Sequence, residues 1–171
     1  NMSIIYRRSG ANKAPFSDPM PLFIDGVYHV IHLSPPWDSL GTVVPEIRSK
    51  DTQRHISSTD LVHWKVHEPA LYPGEPGEVD EDGCWTGSLV RKRDDGVFYL
   101  YYCAFDHDAE NPQKICLATS EDGEHFVKRP EFPILRPAEY LVQIDYGDSY
   151  VFCNEDEGIY SVYHGTHGRD V

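Results

Sequence analysis

Two aspartates and a serine recur at matching places in this 171-residue chain. Asp18 stands seven residues before Asp25, Ser88 seven before Asp95, and Asp148 eight before Asp156. Two carboxylates and a hydroxyl facing one pocket could perform nucleophilic or acid/base work, as on a glycosidic bond. The same residues could equally hydrogen-bond turns between neighbouring elements. Spacing alone does not choose between the two, so the elements that carry these residues matter.

Three segments share one layout: a polar entry, an apolar run, an acidic-Gly turn and an aromatic run. They span residues 18–33, 86–104 and 148–165, with turns at Asp25-Gly26, Asp95-Gly96 and Glu157-Gly158. Gly after an acidic residue, between β-rich runs, supplies the positive φ of a tight hairpin turn. A second hairpin type alternates with the first. Ser58-Thr59-Asp60-Leu61-Val62-His63-Trp64 matches Ser120-Glu121-Asp122-Gly123-Glu124-His125-Phe126. Two hairpins make a four-stranded antiparallel unit, and such units in series without helical periodicity predict a β-propeller. A β-sandwich is the competing architecture, and the alternating repeat argues against it. The acidic-Gly turns lie 70 and 62 residues apart. Blade one is therefore expected over about 16–80, blade two over about 81–140, and the start of blade three over about 141–171. Two and a half blades leave open sheet edges. Either further copies of the chain, in a homo-oligomer, or a missing C-terminal half is expected to cover them.

Composition narrows the partners. Acidic residues number 28 against 15 basic, a net charge of −13. A nucleic acid or an anionic membrane surface needs a basic face, so neither is expected as a partner, whereas a neutral carbohydrate is compatible. No apolar run is long enough to span a bilayer, and the opening residues hold no hydrophobic signal core, so a cytoplasmic protein is expected. Cys84, Cys103, Cys116 and Cys153 form no CxxC pair and read as buried reduced thiols. The nine histidines include His29 and His32, three apart in an expected strand, and His63 and His67 flanking a hairpin. None has ligand spacing, so no metal and no cofactor are expected.

Four segments carry a family resemblance. Phe16-Ser17-Asp18-Pro19-Met20-Pro21-Leu22-Phe23, followed by Asp25-Gly26-Val27-Tyr28-His29, resembles the opening Trp-Met-Asn-Asp-Pro-Asn-Gly motif and first hairpin of glycoside hydrolase family 32. His55-Ile56-Ser57-Ser58-Thr59-Asp60-Leu61-Val62-His63-Trp64 is similar to that family's His-Ala-x-Ser-x-Asp-Leu-x-x-Trp. Gly83-Cys84-Trp85-Thr86-Gly87-Ser88 resembles its Gly-x-Phe-Ser-Gly-Ser, and Asp145-Tyr146-Gly147-Asp148-Ser149-Tyr150-Val151-Phe152 its Asp-Phe-Arg-Asp-Pro-x-Val-Phe. The match covers nearly the whole chain but only the first half of the family's catalytic domain. Glycoside hydrolase family 43 is related and shares the fold.

The resemblance implies an all-β, five-bladed β-propeller and a retaining, β-fructosidase-like hydrolysis of furanosyl or related sugars. It assigns Asp18 as nucleophile and Asp148 as the carboxylate that binds sugar hydroxyls and stabilises the transition state. Thr86 and Ser88 would contact substrate, with Ser17 beside the nucleophile. The family's acid/base Glu is expected beyond Val171. His55 falls on a family motif near the pocket, and equally suits a hydrogen-bonded interior position. Trp37 lies on the loop after the first hairpin, where it would stack on a sugar ring or pack beneath the loop. Three departures stand out: the family's Asn before the nucleophile is Ser17, its Gln is Leu33, and the Arg-Asp-Pro triplet is Gly147-Asp148-Ser149. Those lost groups grip the fructosyl unit in the family. They favour a second reading, a carbohydrate-binding or structural propeller module without catalysis.

Overall fold

The computed structural model describes residues 17–34, 50–92, 95–110, 112–129, 145–154 and 159–167. Ten strands follow in order: β1 (Ser17–Ile24), β2 (Val27–Ser34), β3 (Thr52–Ser58), β4 (Lys65–Val66), β5 (Gly83–Arg91), β6 (Phe98–Phe105), β7 (Gln113–Ser120), β8 (Val127–Lys128), β9 (Asp145–Asn154) and β10 (Ile159–His167). They form two four-stranded sheets, β1-β2-β3-β4 and β5-β6-β7-β8, and a two-stranded sheet of β9 and β10, with every strand pair antiparallel. No helix among the described residues is long and apolar enough to cross a membrane.

The turns follow from local chemistry. Asp25 and Gly26 both have positive φ, 50° and 81°, and Ile24 pairs with Val27 across them. That is the two-residue primed turn for which Asp-Gly is suited. The second hairpin type is built twice from one device. Ser58 Oγ donates to Asp60 Oδ1 (3.1 Å), and the same oxygen accepts from the backbone N–H of Val62 (2.9 Å) and His63 (2.7 Å). Ser120 and Asp122 repeat this, with the N–H groups of Glu124 and His125 donating at 2.8 Å. A carboxylate that takes several backbone donors organises a turn without help from the core.

The sheets pack face to face in series. Strand β1 lies against β5, and β5 against β9, so the first strands of successive sheets gather on one side. This is propeller packing; a sandwich would pair two sheets about a single core. One apolar cluster spans the first two sheets, including Met20, Ile31, Leu71, Leu89 and Leu100. Burial of such side chains contributes about 1.5–3 kcal/mol each. Polar contacts stitch the seam between these sheets. Gln53 is fully buried and its Nε2 donates to the Trp85 carbonyl at 2.7 Å. Arg91 pairs with Asp25 at 2.6 Å, and Lys65 with Glu124 at 2.8 Å. Cys84, Cys103 and Cys116 are buried thiols outside any disulfide; the Cys153 side chain lies outside the described residues.

Gly87 is the tightest point of the seam. Its N–H donates to Met20 Sδ at 3.2 Å, and a Cβ there would stand 1.8 Å from the Tyr101 carbonyl oxygen. Backbone cannot swing aside as a side chain tip can. Gly87→Ala is therefore expected to lower the unfolding free energy by more than about 2 kcal/mol, read by urea denaturation.

Candidate functional site

Each gathered strand is irregular at one place. In β1 the register slips between Ser17 and Met20, in β5 between Trp85 and Gly87, and in β9 opposite the step from Tyr163 to Gly165. The extra residue is accommodated around Asp18, at Thr86 and around Asp148. Asp18 and Asp148 have φ of 49° and 50°. A left-handed non-glycine residue costs on the order of 1–3 kcal/mol and concentrates at functional positions. Bulges re-aim a side chain out of the pleat. Here they turn both carboxylates outward: both residues are exposed.

The three bulges meet in a cleft of about 600 Å³ walled by β1, β5 and β9. Asp18, Thr86, Ser88 and Asp148 line it together. Thr86 Oγ1 donates to Asp18 Oδ2 at 2.7 Å, across the seam between sheets. That bond fixes one carboxylate oxygen and leaves Oδ1 for other work. Ser88 is buried, and its hydroxyl donates to the Val151 carbonyl at 3.4 Å, tying β5 to β9. Tyr150 and Phe152, alternate residues after Asp148 on β9, form an exposed aromatic wall.

The register corrects one alignment drawn from spacing. The residue equivalent to Asp18 and Asp148 is Thr86, not Ser88. Counting back from the turn fails because β5 ends at Arg91 and β6 starts at Phe98, whereas only Asp25 and Gly26 separate β1 from β2. The longer connection moves the offset. Ser17 opens β1, half-buried, paired with buried Leu33.

The structure does not bring His55 to the cleft. It is 1% exposed and sits in a row of imidazoles. Its Nε2 lies 3.1 Å from His29 Nδ1, and its ring stacks on His67 with centroids 4.2 Å apart. His67 continues the row to Glu124 of the second sheet, 3.3 Å away. His55 lies mid-strand in β3, and the pleat aims it at His29 and His67, whatever motif it belongs to. Trp37 lies outside the described residues. One group among the described residues could hold a cation: Glu81, Asp82 and Asp106, with carboxylate oxygens within 4.8 Å of one another. It lies apart from the cleft wall.

The family description "Glycosyl hydrolases family 32 N-terminal domain" matches residues 12–170. The chain belongs to glycoside hydrolase family 32. Among curated family-32 relatives, sucrose-6-phosphate hydrolase of Escherichia coli is 46% identical over 95 residues, 52% of this chain and 18% of that protein. Fructan 1-exohydrolase w2 of Triticum aestivum is 32% identical over 127 residues, 72% of this chain and 20% of that protein. The chain thus spans about one-fifth of the curated relatives it matches. Solved structures agree on the fold. Fructan 1-exohydrolase IIa of Cichorium intybus, in complex with 1-kestose, superposes with a TM-score of 0.70 at 23% identity, over 94% of this chain and 29% of that one. Sucrose-6-phosphate hydrolase of Lactobacillus gasseri gives 0.74 at 22% identity, over 98% and 31%. The fold is part of a five-bladed β-propeller.

In this family-32 chain the histidine row carries a pH signature. Burial, with the charges of His67 and His29 adding to it, pushes His55 down to about 3. Burial is also the first cause that lowers His29 and His67. The unfolded chain takes up protons near the ordinary histidine value of 6.5, where the folded chain resists them. The row's contribution is therefore complete above that value and drains away as pH falls toward about 3. Urea midpoints are expected to drop between about pH 7 and pH 4, and to drop less steeply in His55→Gln.

Proposed function

We propose that this chain carries the nucleophile side of a retaining glycosidase site that acts on furanosyl or related sugars. The observation that supports it is the fixed Asp18. Its carboxylate is exposed at a left-handed bulge, held by Thr86 at 2.7 Å, in one cleft with Asp148. An ionised carboxylate held by one oxygen can attack an anomeric carbon with the other. The bond to the leaving oxygen breaks as the ester to Asp18 forms, and that oxygen takes a proton from a general acid. Water then hydrolyses the ester and releases the sugar with its original anomeric configuration.

Asp148 accepts hydrogen bonds from sugar hydroxyls and steadies the positive charge that develops on the ring. Thr86 keeps Asp18 oriented and Ser88 lines the same cleft, whereas Ser17, next to Asp18 on β1, is not among its lining residues. The described cleft wall holds two carboxylates and no glutamate, so the general acid is assigned outside the described residues. The mechanism calls for no cofactor. Relatives named as a sucrose-6-phosphate hydrolase and a fructan exohydrolase support a carbohydrate substrate and catalysis over a purely binding module. The departures at Ser17, Leu33 and Gly147 imply that this site grips its sugar differently from a site that keeps the family's Asn, Gln and Arg.

Hydrolysis of sucrose and of aryl furanosides by the intact protein tests this reading. Asp18→Asn is expected to lower kcat/KM by at least about 10³-fold. Thr86→Val, which removes one hydrogen bond to a charged group, is expected to lower it by about tenfold. An Asp18→Asn protein as active as the unaltered one would exclude Asp18 as nucleophile.

A further inference from the structure

The two bulges that carry Asp18 and Thr86 are joined a second time, on their buried side. Met20 is the first residue of β1 back in register after the first bulge, where it pairs with Ile31. Gly87 is the first residue of β5 back in register after the second, where it pairs with Tyr102. These two residues meet across the seam: the Gly87 N–H donates to Met20 Sδ at 3.2 Å. Met20 is 5% exposed, packs in the apolar cluster of the first two sheets and lines the cleft beside Asp18 and Thr86. Only Pro19, whose ring fixes its φ, separates Met20 from Asp18. Gly87 follows Thr86 directly, and its backbone lies close against that of Tyr101. The same pair of strands thus carries two bonds in parallel, Asp18 to Thr86 on the exposed side and Met20 to Gly87 beneath them.

We propose that Met20 is a positioning residue of this site: by accepting the Gly87 N–H, its sulfur sets the separation of the two bulges and with it the aim of Asp18. The assignment rests on the glycosidase reading above. A thioether suits the place because it offers lone pairs to the N–H and carries no donor that would need a partner of its own in the apolar cluster. An amide side chain would accept the same N–H but would bring an NH2 group into that cluster. A leucine would fill the space and leave the N–H without its acceptor. The resemblance places Met20 where the family's opening motif has its second asparagine, so the thioether is this chain's own device.

Met20→Leu and Met20→Gln separate positioning from packing, since both nearly conserve volume. The first keeps the apolar contacts and loses the acceptor; the second keeps an acceptor and weakens the core. With sucrose and aryl furanosides as probes, Met20→Leu in the intact protein is expected to lower kcat by about tenfold while KM stays within about twofold, because the aim of the nucleophile counts in the attack and not in the binding of the sugar. Met20→Gln is expected to regain part of that kcat, although urea denaturation finds it the less stable of the two. An unimpaired Met20→Leu enzyme, or a Met20→Gln enzyme no faster than Met20→Leu, overturns the positioning role. The bond has a readout of its own: the Gly87 amide proton, followed by nitrogen-15 NMR, is expected to shift and to exchange faster with solvent in Met20→Leu. A Gly87 amide indifferent to Met20→Leu overturns the bond, whatever the enzyme does. If the unaltered protein hydrolyses none of these sugars, the glycosidase reading fails and takes the positioning role with it. That result is distinct from an active enzyme in which Met20→Leu costs nothing.

Discussion

The site depends on one bond across a seam. Thr86 belongs to the second sheet and Asp18 to the first, and their 2.7 Å contact exists only while the two sheets stay packed. Both residues lie at bulges, and Asp18 holds a left-handed conformation that an isolated strand would relax. The cost is offset by what surrounds them: Met20 seated against Gly87, Gln53 buried against the Trp85 carbonyl, and the shared apolar cluster. Packing keeps the carboxylate aimed.

Repetition explains why the carboxylates converge. Each sheet begins with a strand that runs along the common cleft and slips register near the same end. What occupies the slip differs: an aspartate in the first sheet, a threonine in the second, an aspartate in the third. A single structural rule therefore delivers two carboxylates, and the hydroxyl that holds one of them, to one place. The chemistry differs between sheets, while the backbone device does not.

Much of the fold was legible because its signals are local. Asp25-Gly26 specifies its turn by conformational preference alone, and the paired Ser-x-Asp segments specify theirs by side-chain hydrogen bonds. Asp18 and Asp148 were legible through their motifs. The rest depended on contacts between elements. Thr86 is hidden as their counterpart because the connection between β5 and β6 is longer than a two-residue turn. His55 carries a motif position, yet its burial against His29 and His67 is decided by three strands at once. The spacing within a hairpin is written in its sequence; the seam between hairpins is not.

The central claim is that Asp18 forms a covalent bond to the sugar. Mass spectrometry of peptides from acid-quenched turnover reads this directly. One glycosyl residue esterified to the peptide containing Asp18 is the expected result. A label on another residue, or product of inverted anomeric configuration with no labelled peptide at all, would contradict the account.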